Sequence, residues 1–436
     1  MGMADASLIE DLAAGRWRDP ATGRAVRIAT RSIVIERTLD GGEAALIRAL
    51  GLGPRIAVVG DRNTFDVLGR RVERALAKSA ATDAVVLGSP RAELATADAL
   101  QARTAEADAL LAVGSGTIND LCKYVAHRSG RAYAVFATAP SMNGYLTASA
   151  SLARDGFKAS LPARPPVGAF FDLEVLAAAP ARLIRAGIGD SICRTTAQTD
   201  WLLGHYLRDA PYTDTPYLLQ IEDEPFLLSR AAAIALGDVE GIRALTRLLV
   251  LAGLGMGIVG GSEPASMGEH LISHYVDMMA RPHPGSLHGE QVGVATLTAS
   301  RLQNAVLGAA RPPEVRPTRI DEAAMRRRYG ARLGELCIAE LRAKALDQRA
   351  AERTNARLEE IWPALSARLR EVMLPTARLE EAMAAAGAPM RGVDLGLERR
   401  FYRGAVRHAR EIRRRNTILD LAADAGLLDD FVTEEG

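Results

Sequence analysis

The chain has 436 residues, of which 48% are hydrophobic and 25% charged, and its formal net charge at pH 7 is +1. This balance argues against a whole-protein field that would attract nucleic acid or an anionic membrane. Three separated cysteines without a CxxC pair argue against a disulfide framework and fit a reducing compartment. The N-terminus lacks the basic and apolar regions of a signal peptide, and the longest apolar run, residues 248–259, is too short to span a bilayer. The composition predicts a soluble, cytoplasmic protein.

The first part of the chain alternates between short apolar runs and helical stretches. Strands are predicted at residues 26–36, 55–59, 84–87, 109–113, 133–137 and 167–172. Alternation of this kind is typical of βαβ units around a parallel sheet. We therefore predict an α/β fold with a parallel sheet here, over residues 1–175.

After residue 175 the pattern becomes helical and strand signals are scarce. Helical periodicity covers residues 181–204, 224–236, 239–254, 267–279 and most of 321–386. We predict an all-α domain over residues 176–436.

A glycine turn follows the predicted strand in "ALLAVGSGTINDLCKY". Gly114, Ser115, Gly116 and Thr117 connect that strand to a helix, and glycine lets backbone N–H groups approach an anion closely. The helix N-terminus adds unsatisfied donors and partial positive charge, which suit a pyrophosphate. Thr117 and Asp120 have the spacing of a capping pair. The turn predicts a phosphate cradle; the alternative is a tight strand-to-helix turn without a ligand.

An acidic residue ends an earlier predicted strand in "IAVVGDRNT". Asp61 is placed where a carboxylate accepts hydrogen bonds from an adenosine ribose and repels a 2′-phosphate, which favours NAD over NADP. The alternative is a residue of a surface turn.

Four of the seven histidines fall in "GEHLISHYVDMMARPHPGSLHGE", residues 268–290. His270 and His274 are four residues apart, so a helix would place them on one face. That helix is predicted to end at "ARPHPGS", and His288 to begin the next helix. His283 lies between two prolines and is predicted to be in a solvent-exposed loop.

A carboxylate candidate lies upstream in "AGIGDSICRTTAQTDW". Asp190 follows Gly187 and Gly189 at a predicted tight turn. One carboxylate and two imidazoles form a donor set with open positions, which is typical of a catalytic metal site and suits Zn, Ni or Fe(II). The alternative is that the histidines have ordinary structural roles, and spacing alone does not decide which of them bind.

These motifs, together with "TAPSMNGYLTASAS", "GFKASLPARPP" and "RNTILDLAADAGLL", resemble the superfamily of iron-containing alcohol dehydrogenases and dehydroquinate synthases. Within it the chain is most similar to the bacterial branch of the sn-glycerol-1-phosphate dehydrogenases. The resemblance implies a Rossmann-like dinucleotide-binding domain over residues 1–175, an α-helical metal- and substrate-binding domain over residues 176–436 and a cleft between them. It also implies NAD or NADP and one divalent metal, held by Asp190, His270 and His288. The implied cofactor contacts are Asp61, Gly114, Ser115, Gly116, Thr117, Asp120, Thr138 and Ser141.

The activity implied by the resemblance is reversible NAD(P)H-dependent reduction of dihydroxyacetone phosphate to sn-glycerol 1-phosphate, a reaction of phospholipid metabolism. His274 and Asn143 are the implied catalytic residues, and the proton would come either through His274 or from metal-bound water. Many relatives carry Asp where this chain has Asn143, which cannot act as a base but can hydrogen-bond a substrate hydroxyl. Lys158 and Arg194 are candidate partners of the substrate phosphate, or else surface charges.

Other functions stay open at this point. The chain could be a polyol dehydrogenase with another substrate, a dehydroquinate-synthase-like cyclase, or a non-catalytic nucleotide-binding protein. The arginine-rich stretch at residues 398–415 is interpreted as a solvated or interface helix rather than a site for nucleic acid or membrane. The expected partner is a small phosphorylated substrate, and the expected assembly is a homodimer or higher homo-oligomer.

Overall fold

The computed structural model describes residues 7–154 and 157–435. By their internal contacts they form two compact units. The first comprises Met1–Ser191 and Asp214–Ser262, and the second comprises Ile192–Thr213 and Glu263–Gly436. Residues 176–191 and 214–262 therefore group with the first unit rather than beyond a boundary at residue 175. The predicted functional division at that residue stays a prediction.

The strands all belong to the first unit. They are β1 (Ser32–Glu36), β2 (Arg55–Asp61), β3 (Ala81–Leu87), β4 (Ala109–Gly114), β5 (Ala132–Ala137), β6 (Ser149–Arg154), β7 (Phe157–Pro162) and β8 (Gly168–Asp172). Six of them form one sheet in the order β1-β8-β5-β4-β2-β3, and every neighbouring pair is parallel. β6 and β7 form a separate antiparallel pair.

The apolar runs form this sheet because its central strands are covered on both faces. Every residue of β4 is buried. In β5 all residues after the first are buried, and in β2 all residues between the first and Asp61 are buried. Continuous apolar runs are typical of parallel strands buried on both sides. The predicted parallel α/β sheet is confirmed, whereas the β6–β7 pair was not predicted.

The strand order fixes where a ligand can bind in the first unit. β2 pairs with β3 on one side and with β4 on the other, although β3 precedes β4 in the chain. In an open parallel sheet, such a reversal leaves a crevice outside the carboxyl ends of the two strands. Asp61 ends β2 and Gly114 ends β4, so both predicted cofactor contacts lie at this edge.

Some helices lie before and between the strands, and the others follow β8 along the chain. They are α1 (Ser7–Ala13), α2 (Glu43–Leu50), α3 (Arg62–Thr64), α4 (Arg70–Leu76), α5 (Leu94–Arg103), α6 (Gly116–Arg128), α7 (Leu173–Ala177), α8 (Ala181–Ser191), α9 (Arg194–Arg208), α10 (Thr215–Leu218), α11 (Glu224–Ala235), α12 (Val239–Val259), α13 (Gly268–Met279), α14 (His288–Leu307), α15 (Glu322–Tyr329), α16 (Ala331–Arg342), α17 (Gln348–Val372), α18 (Thr376–Ala385), α19 (Arg399–His408), α20 (Ile418–Asp424) and α21 (Leu428–Glu434). Within the described residues the second unit contains helices and no strands, as predicted for the C-terminal part.

Helix α12 is longer than its predicted extent. It has 21 residues and, by length and composition alone, is apolar enough to cross a membrane. In this structure 78% of its most apolar window is buried inside the protein, as in a core helix, so the feature is consistent with a soluble protein. The helix ends at Gly260, whose φ of 74° is in the left-handed region that glycine adopts readily.

Candidate functional site

The glycine turn of the first unit lies where β4 ends and α6 begins. A Cβ on Gly114 would lie 2.6 Å from the Cβ of Ile118, so packing against the helix requires glycine there. A Cβ on Gly116 would meet only the flexible side chain of Met142, at 3.7 Å or more. Packing therefore does not require glycine at 116, and an open backbone at a helix N-terminus is what an anion needs.

The predicted capping of α6 by Thr117 and Asp120 is wrong. The helix begins one residue before Thr117, at Gly116, with Ser115 as its N-cap and no side-chain capping bond within the described residues. Asp120 instead accepts a hydrogen bond from the backbone N–H of Ser151 at 3.0 Å, which ties α6 to β6. Thr117 and Asp120 as cofactor contacts stay predictions.

Asp61 caps a helix at the same edge of the sheet. Its Oδ1 accepts a hydrogen bond from the Thr64 backbone N–H at 2.9 Å, and the Thr64 hydroxyl accepts one from the Asp61 N–H at 3.0 Å. A Cβ on Gly60 would lie 3.1 Å from the Val113 carbonyl oxygen, so β2 and β4 approach closely here. Asp61 remains partly exposed, and its predicted bond to a ribose stays a prediction.

The loop after β5 lies beside the glycine turn. The backbone N–H of Thr138 donates to the Gly114 carbonyl oxygen at 3.2 Å. Thr138 and Ser141, the other two predicted cofactor contacts, are 8% and 9% exposed. The first unit therefore brings the predicted cofactor residues of β4, α6 and this loop to one edge of the sheet, and their roles stay predictions.

Asp190 and Asn143 are in direct contact within the first unit. The Asn143 backbone N–H donates to Asp190 Oδ2 at 2.7 Å, and Asp190 is only 1% exposed. The predicted tight turn before Asp190 is wrong, because the whole segment is helix α8. Gly187 serves a different purpose there: a Cβ would run into the Pro140 carbonyl oxygen, so its absence lets the loop pack on the helix.

Lys123 was not predicted to matter, yet it is fully buried beneath the same loop. Its ammonium donates to the Gly144 carbonyl oxygen at 2.5 Å, the Thr147 hydroxyl at 3.1 Å and the Ser149 carbonyl oxygen at 3.1 Å. Burial lowers the pKa of Lys123 to about 8, although the charge of nearby Asp120 opposes that shift. Lys123 therefore fixes the path of the chain that follows Asn143.

Three of the four clustered histidines meet in the second unit. Ring centroids lie 5.2 Å apart for His270 and His288, 6.1 Å for His270 and His274, and 6.0 Å for His274 and His288. His270 and His274 are buried, and His288 is the first residue of α14, as predicted. His283 lies in the exposed loop between the helices, as predicted, with its Nε2 3.2 Å from Asp277 Oδ1.

His270 and His288 each have a polar contact at Nδ1. His270 Nδ1 lies 2.9 Å from Glu269 Oε1, and His288 Nδ1 lies 3.3 Å from the Ser273 hydroxyl oxygen. Ser273 donates in turn to Gln291 Oε1 at 2.8 Å. An acceptor at Nδ1 fixes the tautomer and directs the Nε2 lone pair to the opposite side, as in metal-binding histidines.

A second group in this unit also has the residue types of a metal site. Ligand atoms of Cys193, Glu269 and His270 lie within 4.8 Å of one another. The Glu269 carboxylate, however, accepts hydrogen bonds from the Met267 N–H at 2.7 Å and the Thr196 hydroxyl at 3.0 Å, besides its contact with His270. Hydrogen bonds therefore already occupy both oxygens of the Glu269 carboxylate.

The two candidate phosphate partners have different outcomes. The side chain of Lys158 lies outside the described residues. Arg194 donates to Gln198 Oε1 at 2.7 Å and to the Val372 carbonyl oxygen at 3.3 Å, which links α9 to the end of α17. Phosphate binding by either residue stays a prediction.

Comparisons with known proteins identify the family. Residues 34–180 match the family model of the iron-containing alcohol dehydrogenases. A glycerol-1-phosphate dehydrogenase (NAD(P)+) of Pyrococcus furiosus is 31% identical over 274 residues, which cover 62% of this chain and 78% of that protein. The chain belongs to the glycerol-1-phosphate dehydrogenase family.

Other similarities agree with the glycerol-1-phosphate dehydrogenase family. The enzyme of that name from Halalkalibacterium halodurans is 34% identical over 256 residues, covering 57% of this chain and 64% of its own length. The crystal structure of a probable glycerol dehydrogenase from Sinorhizobium meliloti aligns with a TM-score of 0.61 over 93% of this chain and 98% of that one, at 20% identity. At that identity the likeness shows the fold, and it confirms the predicted fold of this superfamily.

Proposed function

We propose that this member of the glycerol-1-phosphate dehydrogenase family reversibly reduces dihydroxyacetone phosphate to sn-glycerol 1-phosphate. It would use NADH or NADPH and one divalent metal ion. The observation that supports this most strongly is the pair of imidazoles, His270 and His288, each hydrogen-bonded at Nδ1. Such pre-orientation serves metal binding at Nε2, and metal binding fits the family to which the chain belongs.

The residue types of the implied ligands fit a catalytic metal. Asp190, His270 and His288 would offer one carboxylate oxygen and two imidazole nitrogens, which leaves coordination positions open for substrate. Zn, Ni and Fe(II) all suit these ligand types. When bound, the ion would supply Lewis acidity that polarises the substrate carbonyl.

The dinucleotide is proposed to lie at the carboxyl edge of β2 and β4. Ser115 and Gly116 would receive the pyrophosphate at the N-terminus of α6, where backbone donors and the helix dipole favour negative charge. Asp61 would accept hydrogen bonds from the adenosine ribose, and Thr138 and Ser141 would line the path towards the nicotinamide. Asp61 favours NADH over NADPH, because its charge would repel a 2′-phosphate.

Asn143 is proposed to orient the substrate. Its side-chain Nδ2 is buried and has no hydrogen-bond partner among the described residues. A buried donor of this kind is costly unless something accepts its hydrogen, and a substrate hydroxyl oxygen could do so. Its backbone N–H is held by the bond to Asp190, which fixes where the side chain starts. Because an amide cannot act as a base, His274 would hold and relay the proton.

Substrate comparison tests the proposal. Purified, metal-reconstituted protein is assayed at the nicotinamide absorbance with dihydroxyacetone phosphate and with dihydroxyacetone. We expect kcat/KM to be about 10- to 100-fold higher for the phosphorylated substrate for each charge-assisted hydrogen bond to the phosphate. Equal rates, or a preference for the unphosphorylated compound, would indicate a polyol dehydrogenase instead. No consumption of NADH or NADPH with either compound would contradict the proposal and leave a cyclase as the alternative.

The phosphate partners are tested with the same assay. Lys158→Ala and Arg194→Ala are compared with the wild type, and replacement of the residue that binds the phosphate should raise KM for dihydroxyacetone phosphate.

We further propose a cytoplasmic location and a homodimer. Light scattering of the purified protein would measure the oligomeric state.

A further inference from the structure

Helix α13 carries a buried acidic side chain that the proposed reaction does not use. Glu269 is 0% exposed and precedes His270 directly in the chain. A carboxylate removed from water is costly unless hydrogen-bond donors surround it. The sequence "GEHLISH" draws attention to the two histidines, and the acid between glycine and histidine has no obvious reason to be buried.

Three donors surround Glu269. The Met267 backbone N–H lies 2.7 Å from Oε1, the Thr196 hydroxyl lies 3.0 Å from Oε2, and His270 Nδ1 lies 2.9 Å from Oε1. The Met267 N–H can only donate, so Oε1 is an acceptor, and Oε2 accepts from the Thr196 hydroxyl. Both carboxylate oxygens of Glu269 therefore accept hydrogen bonds.

This arrangement decides which nitrogen of His270 carries the proton. Because Oε1 accepts hydrogen bonds and lies 2.9 Å from His270 Nδ1, the contact requires a proton on Nδ1. In the neutral ring the lone pair is then on Nε2. The opposite tautomer would place two lone pairs against each other in a buried setting, where electrostatic repulsion is weakly screened.

We propose that Glu269 is a positioning residue of the metal site: its carboxylate holds His270 in the Nδ1–H tautomer and presents the Nε2 lone pair to the divalent metal. The inference rests on the proposed function for the presence of that metal. The carboxylate also makes the imidazole a more basic ligand, because it stabilises positive charge that develops on the ring when Nε2 donates to a cation.

The two imidazoles differ in this respect. His288 Nδ1 faces the neutral hydroxyl of Ser273 at 3.3 Å, whereas His270 Nδ1 faces a carboxylate at 2.9 Å. Charge-assisted hydrogen bonds are shorter and stronger than neutral ones. Removing the Glu269 carboxylate should therefore weaken metal binding more than removing the Ser273 hydroxyl does.

Metal affinity of the metal-free protein tests the inference. Zn²⁺ dissociation constants are measured by competition with a chromogenic chelator for the wild type, Glu269→Met, Glu269→Gln and Thr196→Val. Glu269→Met should weaken Zn²⁺ binding about 10- to 100-fold. Glu269→Gln should have a smaller effect, because its amide carbonyl can still accept the Nδ1 proton. Thr196→Val removes a donor to Glu269 but leaves the carboxylate, so it should change stability and leave Zn²⁺ affinity within about 3-fold.

A spectroscopic measurement separates positioning from mere structural support. In metal-free protein labelled with ¹⁵N-histidine, the His270 signals should report the Nδ1–H tautomer in the wild type and in Thr196→Val. Glu269→Met should shift them towards the Nε2–H tautomer. If Glu269 is needed only for packing, Glu269→Met should lower the melting temperature without changing the tautomer of His270.

Each outcome decides a different question. Unchanged Zn²⁺ affinity in folded Glu269→Met overturns the inference, and if that variant does not fold, wild-type ¹⁵N signals that report the Nε2–H tautomer of His270 overturn it. A wild-type protein that binds no divalent metal contradicts the proposed function instead. In that case the ¹⁵N signals of the metal-free protein decide the role of Glu269 alone.

Discussion

A methyl group added at Gly253 tests how tightly α12 holds the loop that follows β5 and carries Asn143. A Cβ at this position would lie 2.6 Å from the Asn143 carbonyl oxygen and 3.4 Å from the Leu146 Cβ. The first distance is about 0.8 Å inside ordinary contact, and it involves a backbone atom that cannot rotate away. Gly253→Ala must therefore displace the backbone that carries the Asn143 amide and its bond to Asp190.

The expected magnitudes follow from two opposing effects. Overpacking a tight interior contact costs about 1–3 kcal/mol, and alanine in place of glycine inside a helix returns about 1 kcal/mol. The net loss in the free energy of unfolding should be between about 0 and 2 kcal/mol. Activity should suffer far more, because a displacement approaching 1 Å at a substrate-orienting group can lower kcat/KM about 100-fold.

Gly257→Ala is the matched control on the same helix. Its Cβ would meet nothing closer than the Leu146 carbonyl oxygen at 3.9 Å, and the residue is exposed. We expect it to be stabilised by up to about 1 kcal/mol with unchanged kinetics. Urea unfolding and the assay with dihydroxyacetone phosphate measure both variants. If Gly253→Ala behaves like Gly257→Ala, the close approach of loop and helix does not control activity.

Three further predictions concern charges. Burial lowers the pKa of Lys123 from 10.5 to about 8, so the folded state binds fewer protons than the unfolded state between those pH values. The free energy of unfolding of the wild type should therefore rise across that window by up to about 3 kcal/mol. In urea unfolding Lys123→Met should lack this rise, and a pH dependence parallel to that of the wild type would contradict the prediction. Burial and the charge of Glu269 raise the pKa of Asp200 from 3.8 to about 8, so the folded state binds more protons there and stability should fall as pH rises through that window. Asp200→Asn should lose that fall in the same measurement. Asp61→Ser keeps a good N-cap for α3 but removes the charge, so its kcat/KM ratio of NADPH to NADH should increase; an unchanged ratio would show that Asp61 is only a cap.

Local sequence patterns predicted much of the fold and part of the site. Apolar runs separated by helical segments predicted the parallel sheet, because burial on both faces leaves a continuous apolar signature. The spacing of His270 and His274 predicted their shared helix, and the prolines around His283 predicted the exposed loop. These features depend on residues that are close in the chain.

Features that depend on distant residues were missed or wrong. Gly187 was taken for a turn glycine, although its missing Cβ makes room for the Pro140 carbonyl oxygen from another part of the chain. Lys123 and Glu269 have partners that a helical pattern does not reveal. The β6–β7 pair had a local signal, the Asp-Gly dipeptide at residues 155–156, which is common between hairpin strands.

The dependence of activity on a metal tests the central claim most directly. The protein is stripped with a chelator, and NADH oxidation is followed with dihydroxyacetone phosphate before and after Zn²⁺, Ni²⁺ or Fe²⁺ is added back. We expect stripped protein to be inactive, and at least one of these ions to restore NADH oxidation and to yield sn-glycerol 1-phosphate. NADH oxidation at the full rate in fully chelated protein would contradict the claim.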